Sequence, residues 1–167
     1  MDTKPLLLLD IDGVLNPFRM GDDLAPGYAL YPVTVADGRA LTVRLTPAHG
    51  PWLRELAADF ELVWATTWAA QANTHIGPLL GLPVLPVIVP VRRGIYRTEK
   101  YEPARRFVKG RPFAWVDDAF ELAVVELARN RNRVGRKALL VTSDPAIGLT
   151  RAMVDQLHAF AVEVRET

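Results

Sequence analysis

The chain reads as an α/β protein built on a doubly wound, mainly parallel, Rossmann-like sheet. Three observations predict this. Short aliphatic or β-rich runs alternate with amphipathic stretches along the whole sequence. The runs are continuously apolar, as strands covered on both faces must be. Several of them end in acidic or hydroxyl residues, at the carboxyl ends where such a sheet places its ligands.

Each element has a local reason. Lys4 to Asp10 is an aliphatic run stopped by acid, and Gly13 then marks a turn. Tyr28 to Val35 and Ala40 to Leu45 flank Ala36-Asp37-Gly38-Arg39, and an Asp-Gly pair between β-branched runs predicts a hairpin. Thr46 followed by Pro47 fits a helix start, with Trp52, Leu53, Leu56 and Ala57 at helical spacing up to about Asp59. Phe60 to Ala65 predicts a second strand, closed by Thr66-Thr67, and a helix follows from about Trp68 to Leu80. Val84 to Val89 is β-rich but carries Pro83, Pro86 and Pro90, which restricts it to an edge or a short strand. Thr98 is placed to cap a helix over Glu99 to Val108, ended by Gly110. Pro112 to Val116 predicts a strand ending at Asp117-Asp118. An amphipathic helix over Ala119 to Val134, a strand over Lys137 to Thr142 and a last helix over Thr150 to Val164, its core face at Met153, Leu157 and Phe160, complete the alternation.

Composition bounds the function. The 167 residues include no cysteine, which excludes thiol catalysis and cysteine zinc sites. A formal charge of +1 lacks the strong field of a nucleic-acid coat. The longest early apolar run, Leu6 to Leu9, is too short for a signal-peptide core or a membrane span, so a cytoplasmic protein without a membrane partner is expected. No obligate protein partner is evident. No repeat, linker or boundary interrupts residues 1–167, which are expected to form one domain with a flap hairpin at about 28–45.

The chemistry-bearing signal is Asp10-Ile-Asp12-Gly13-Val14, two carboxylates leaving a strand terminus with a glycine to permit the bend. Asp10 and Asp12 could by themselves simply end the strand and cap the turn. The run resembles the first motif of the haloacid dehalogenase (HAD) superfamily, most of whose members are magnesium-dependent phosphatases. The superfamily's other motifs follow in order. Glu61-Leu-Val-Trp-Ala-Thr66 supplies a hydroxyl at a strand end, Lys100 the lysine, and Ala114-Trp-Val-Asp117-Asp118 the acidic pair. More narrowly, Val63-Trp-Ala-Thr-Thr-Trp-Ala-Ala-Gln-Ala-Asn73 and Pro78-Leu-Leu-Gly-Leu-Pro83 are similar to the HAD domain of Swiss army knife RNA-repair proteins.

The resemblance implies a role for each residue, and phosphoryl transfer needs those roles filled. Asp10 is the nucleophile, giving an aspartyl-phosphate. Asp12 is the general acid and then base, given a raised pKa. Thr66, with Thr67 as competitor, donates to a phosphoryl oxygen beside helix N-H groups near Trp68. Lys100 neutralises remaining charge, with Lys109 as the alternative. Magnesium is held by Asp10, the Asp12 carbonyl and the acidic pair, Asp118 directly and Asp117 in support, although either acid could instead cap a helix. Gly13, Thr67, Trp68, Arg92 and Arg93 are candidate substrate contacts. Trp52, Trp64 and Trp115 read as core, and His49, His75 and His158 lack ligand spacing.

Inserts after the first motif and between the second and third are short, which implies a small hairpin flap and no large cap domain. The expected function is a magnesium-dependent phosphomonoesterase with an open site, acting on polynucleotide terminal phosphates, or alternatively on small metabolites or phosphoproteins. From other classes, a receiver-like phospho-accepting module would carry its acceptor on a later strand, and a metal-dependent glycosyltransferase leaves Thr66, Lys100 and Asp117-Asp118 unexplained.

Overall fold

Leu6, Leu7, Leu8 and Leu9 are fully buried, and they are the middle of the sheet. The computed structural model describes residues 4–18, 26–94 and 97–167, the Arg97 side chain excepted. The strands are β1 (Leu6–Leu9), β2 (Ala29–Thr34), β3 (Ala40–Leu45), β4 (Glu61–Trp64), β5 (Val91–Arg93), β6 (Arg97–Glu99), β7 (Phe113–Asp117) and β8 (Ala138–Thr142). The α-helices are α1 (His49–Asp59), α2 (Tyr101–Val108), α3 (Leu122–Arg133) and α4 (Arg151–Arg165).

Four strands form one parallel sheet in the order β4-β1-β7-β8. Successive side chains of a strand point to opposite faces, and β1 shows the result. Leu7 and Leu9 join Leu53 and Leu56 of α1 and Val154 and Leu157 of α4 in one core layer. Leu6 and Leu8 join Ala104 and Val108 of α2 and Val124 and Ala128 of α3 in the other. A strand covered on both sides has no polar face to present, which is why its sequence is four leucines. Each such side chain contributes roughly 1.5–3 kcal/mol by leaving water.

The chain passes from β1 to β4 on one side and later to β7 on the other. That reversal opens a crevice at the carboxyl ends of β1 and β7. The register aligns Leu9 with Trp64 on one side and Val116 on the other, so Asp10 and Asp117 emerge next to each other.

Two antiparallel hairpins lie outside the sheet. The first, β2 with β3, matches the flap read around Asp37-Gly38, and Gly38 takes the positive φ of 85° that its turn requires. Residues 19–25, between the first motif and this flap, lie outside the described residues. The second hairpin, β5 with β6, occupies the segment expected to lead by loop into a helix at Glu99. Thr98 is therefore a strand residue and not a cap, and α2 starts at Tyr101. Among the described residues no larger insert covers the sheet's carboxyl end.

Three other expectations change. Thr46 does not cap α1, whose N-cap is Ala48 with no side-chain bond; the Thr46 hydroxyl accepts instead from the Ala48 N-H at 3.4 Å. The stretch from Trp68 to Leu80 is not an α-helix. It is a turn, then a π-helical segment at Ala72–Ile76 and a 3-10 turn at Pro78–Leu80. Pro78 cannot continue a regular helix, and the Asn73 side chain is drawn away to the Leu85 backbone and to Trp64 Nε1. The segment 84–89 is not the strand expected of it: its prolines break the ladder, and it meets the sheet at a single bridge, Val87 beside Trp64. Thr150 does cap α4, its hydroxyl accepting from the Met153 N-H. The buried face of that helix is Val154, Leu157, Phe160 and Ala161, with Met153 only partly covered.

After β8 the chain returns beneath the first motif. The Leu149 N-H donates to the Val14 carbonyl at 2.7 Å, and Gly148 sits at φ 81° with no room for a side chain. A Cβ there would lie 2.4 Å from the Val14 oxygen. Gly148→Ala should therefore lower unfolding free energy by more than about 1 kcal/mol, read from the urea midpoint. A midpoint equal to the parent's would show that this closure is slack.

Candidate active site

Asp10 follows β1 directly. Its N-H is held by the Val116 carbonyl at 3.1 Å, and one carboxylate oxygen accepts from the Ile11 N-H at 2.8 Å. The chain then turns sharply, with the Ile11 carbonyl accepting from the N-H groups of Val14, Leu15 and Asn16. Gly13, at φ 75°, makes this possible for two reasons. It takes the left-handed conformation, and a Cβ would lie 2.6 Å from a carboxylate oxygen of Asp118. The bend expected at Gly13 thus comes with a close approach to Asp118.

Asp12 points away from Asp10's partners. Its oxygens accept from Asn16 Nδ2 at 2.7 Å and Trp68 Nε1 at 2.9 Å. Burial pushes its pKa up, and the Asp10 charge adds to that, while the two hydrogen bonds and the Lys100 ammonium act against it. Asn16 also accepts from the Arg44 N-H of β3 at 2.8 Å, so one side chain joins the flap to Asp12.

Lys100, just before α2, is placed by its own N-H, which donates to the Glu121 carboxylate at 2.8 Å. Its ammonium reaches Asp10 at 2.6 Å and Asp117 at 2.8 Å. Burial opposes its charge, but the two carboxylates outweigh that and hold its pKa above the ordinary lysine value. Lys109, the rival lysine, lies at the opposite end of α2 with its carbonyl bonded to Arg131.

Asp117 ends β7, buried, and its second oxygen accepts from the Ala119 N-H at 3.2 Å. Burial and the Asp10 charge push its pKa up to about 7, with Lys100 pulling the other way. Asp10, Asp117 and Asp118 present oxygens within 4.8 Å of one another. Carboxylates crowded this closely, all with hard oxygen donors, fit a divalent cation such as magnesium. The Asp12 side chain is not part of that group, being engaged by Asn16 and Trp68. Neither Asp117 nor Asp118 caps α3, whose N-cap is Glu121.

Thr66 follows β4 and is fully buried, its hydroxyl accepting from the Trp68 N-H at 3.4 Å. An oxygen that accepts keeps its own proton to donate. Thr67 is exposed and lines a cavity of about 370 Å³ together with Asp12, Trp68 and Arg92. With no α-helix after Thr66, the helix N-H groups expected near Trp68 are replaced by a turn in which the Ala69 N-H returns to the Thr66 carbonyl. Arg93 is not brought to the cavity: its guanidinium pairs with Glu99 at 2.9 Å.

Asn16, Glu121 and Ser143 were not singled out by sequence. Ser143 is buried at the end of β8, bonded to the Gly13 carbonyl at 2.7 Å, and its N-H donates to the Asp117 carbonyl. Asn16 lies four residues past Asp12 in a polar break of an apolar stretch, a usable signal; Glu121 and Ser143 carry none. The histidines stay out of the site. His49 is buried against the Leu149 carbonyl, its pKa depressed to about 4 by burial, and His158 lies between Asp59 and Glu55. Trp64 and Trp115 are buried in the core, as read.

No described helix is long and apolar enough to cross a membrane. Among solved structures, a hypothetical protein, XCC2798 from Xanthomonas campestris, shares the fold with a TM-score of 0.51 at 17% identity, over 98% of this chain and 86% of that one. No curated protein matches. The family described as the HAD domain in Swiss Army Knife RNA repair proteins matches residues 6–154. The whole four-stranded sheet and every residue that meets at its carboxyl end fall within that match, and the chain belongs to this family of HAD-superfamily hydrolases.

Proposed function

We propose that the protein is a phosphomonoesterase that works through an aspartyl-phosphate. The observation that carries this reading is the contact of one ammonium with two carboxylates, Lys100 with Asp10 across 90 residues and with Asp117 across 17. Buried carboxylates require a paired cation, and this pairing also sets an ammonium beside the Asp10 oxygen that would meet a phosphoryl group.

In the proposed reaction an Asp10 oxygen bonds to phosphorus as the ester P–O bond breaks, and Asp12 gives its proton to the leaving oxygen. A water then attacks phosphorus, Asp12 takes the proton back, and the P–O bond to Asp10 breaks to release phosphate. The burial that raises the Asp12 pKa favours its starting this cycle protonated. Magnesium held by Asp10 and Asp118, with Asp117 and the Asp12 carbonyl in support, would offset the negative charge of the incoming phosphate. Thr66 donates to a phosphoryl oxygen, and Lys100 stabilises the same charge. The short flap supports an open site, and the family's description together with Arg92 at the cavity supports a polynucleotide terminal phosphate as substrate.

Asp10→Asn should abolish phosphate release from an aryl phosphate while the circular dichroism spectrum is retained; near-parental activity would remove Asp10 from the nucleophile's role. Lys100→Ala should lower kcat/KM by about 3 kcal/mol of transition-state stabilisation, on the order of 100-fold, and a null effect would pass its role to an arginine. Because Asp117 in the cation-free protein holds a proton below about pH 7, that proton must leave for a cation to bind. Magnesium affinity measured by calorimetry should therefore rise from pH 6 to pH 8, with proton release at the lower pH. Affinity flat across that range would place the cation elsewhere. A side-by-side screen of phosphorylated oligonucleotides, sugars and peptides tests the substrate class.

A further inference from the structure

Asp12 belongs to two environments. Its backbone is part of the turn that holds Asp10, while its carboxylate lies in the wall of the cavity that also includes Phe18, Trp68 and Arg92. Neither Asp10 nor the acidic pair lines that cavity. On the proposed mechanism Asp12 protonates the leaving oxygen, so the space on its side is where the leaving alcohol sits.

The wall has a mixed character that a plain sugar does not require. Val35, Leu41 and Val43 of the flap make one side apolar. Phe18 stands at 56% exposure, a large aromatic ring left in water at a cavity. Such a ring offers a face on which a flat group stacks. Of the two arginines, Arg39 is already paired with Asp37 at 2.7 Å, whereas Arg92 has no carboxylate partner among the described residues. A volume of about 370 Å³ suits one ring-bearing unit, such as the terminal unit of a polynucleotide.

We infer that this cavity is a leaving-group subsite which selects an alcohol bearing a flat aromatic ring and a further negative charge, with Phe18 supplying the ring face and Arg92 the countercharge. A nucleoside carrying a second phosphate has that chemistry. The inference rests on the phosphatase reading for its direction and adds the residues that decide specificity, so the flap is the wall of a one-unit recognition site.

The experiment compares three substrates on the magnesium-supplied protein: adenosine 3′,5′-bisphosphate, adenosine 5′-monophosphate and a hexose phosphate. The bisphosphate should be preferred over both others by about tenfold or more in kcat/KM. Phe18→Ala should lower the ratio of bisphosphate to hexose phosphate by about tenfold, and Arg92→Gln should lower the ratio of bisphosphate to monophosphate by a similar factor, about tenfold. Equal turnover of all three substrates by the parent protein, or equal losses on all three in the variants, overturns the inference. If no phosphate is released from any of them, or from an aryl phosphate, the phosphatase reading fails by itself. Calorimetric binding of adenosine 3′,5′-bisphosphate then decides the subsite: a Kd weakened about tenfold by Phe18→Ala supports it, and an unaltered Kd overturns it.

Discussion

Three carboxylates gathered at one end of a sheet repel one another, and the rest of this molecule is arranged around that fact. Two unit charges about 4 Å apart interact by about 4 kcal/mol at an effective dielectric near 20. Asp10, Asp117 and Asp118 are held close by β1 and β7, whose register gives them no choice. Lys100 relieves part of the repulsion from a different element, and Glu121 fixes where Lys100 begins. Burial and the Asp10 charge raise the pKa of Asp117, so that a proton taken up there would relieve more. The remaining deficit of positive charge is what makes the place receptive to a cation.

The geometry around this cluster is enforced by backbone contacts with little tolerance. Gly13 must lack a side chain because Asp118 occupies the space, and Gly148 must lack one because the Val14 carbonyl does. Ser143 ties Gly13 to Asp117, its hydroxyl donating to the Gly13 carbonyl while its own N-H donates to the Asp117 carbonyl. The turn after β1 is thus clamped by β7 and by the return loop after β8. The flap is fastened to the same turn through Asn16, and again at its tip where the Ala36 N-H donates to Gln71. Two hydrogen bonds thus connect the flap to the turn that carries the acids and to the cavity wall at Gln71.

The sheet was legible because burial on both faces leaves a strand no freedom in composition: Leu6–Leu9, Glu61–Trp64 and Phe113–Asp117 announce themselves. Asp10, Asp12, Lys100 and the acidic pair were legible because their elements end at the crevice. What failed to show has physical causes. The residues Trp68, Ala72, Ile76 and Leu80 recur every four positions and are all buried, so their periodicity reports a real inner face. It cannot distinguish an α-helix from the wider and tighter turns that Asn73 and Pro78 impose. The hairpin at 91–99 is short, and its arginines read as a solvated loop. Glu121 and Ser143 act through hydrogen bonds to residues distant in sequence, for which local pattern holds no sign.

The run beside β4 has one more effect. An unpaired sheet border is a template on which another molecule can lay a strand. Here the border carries Pro83, Pro86 and Pro90, none of which has an amide hydrogen to offer, and among the described residues it meets the sheet only around Val87, where the Pro86 carbonyl accepts from the Trp64 N-H and the Ile88 N-H donates to the Trp64 carbonyl. A neighbouring copy arriving at that border meets a broken ladder. The same prolines that keep this run from being a strand discourage polymerisation through it.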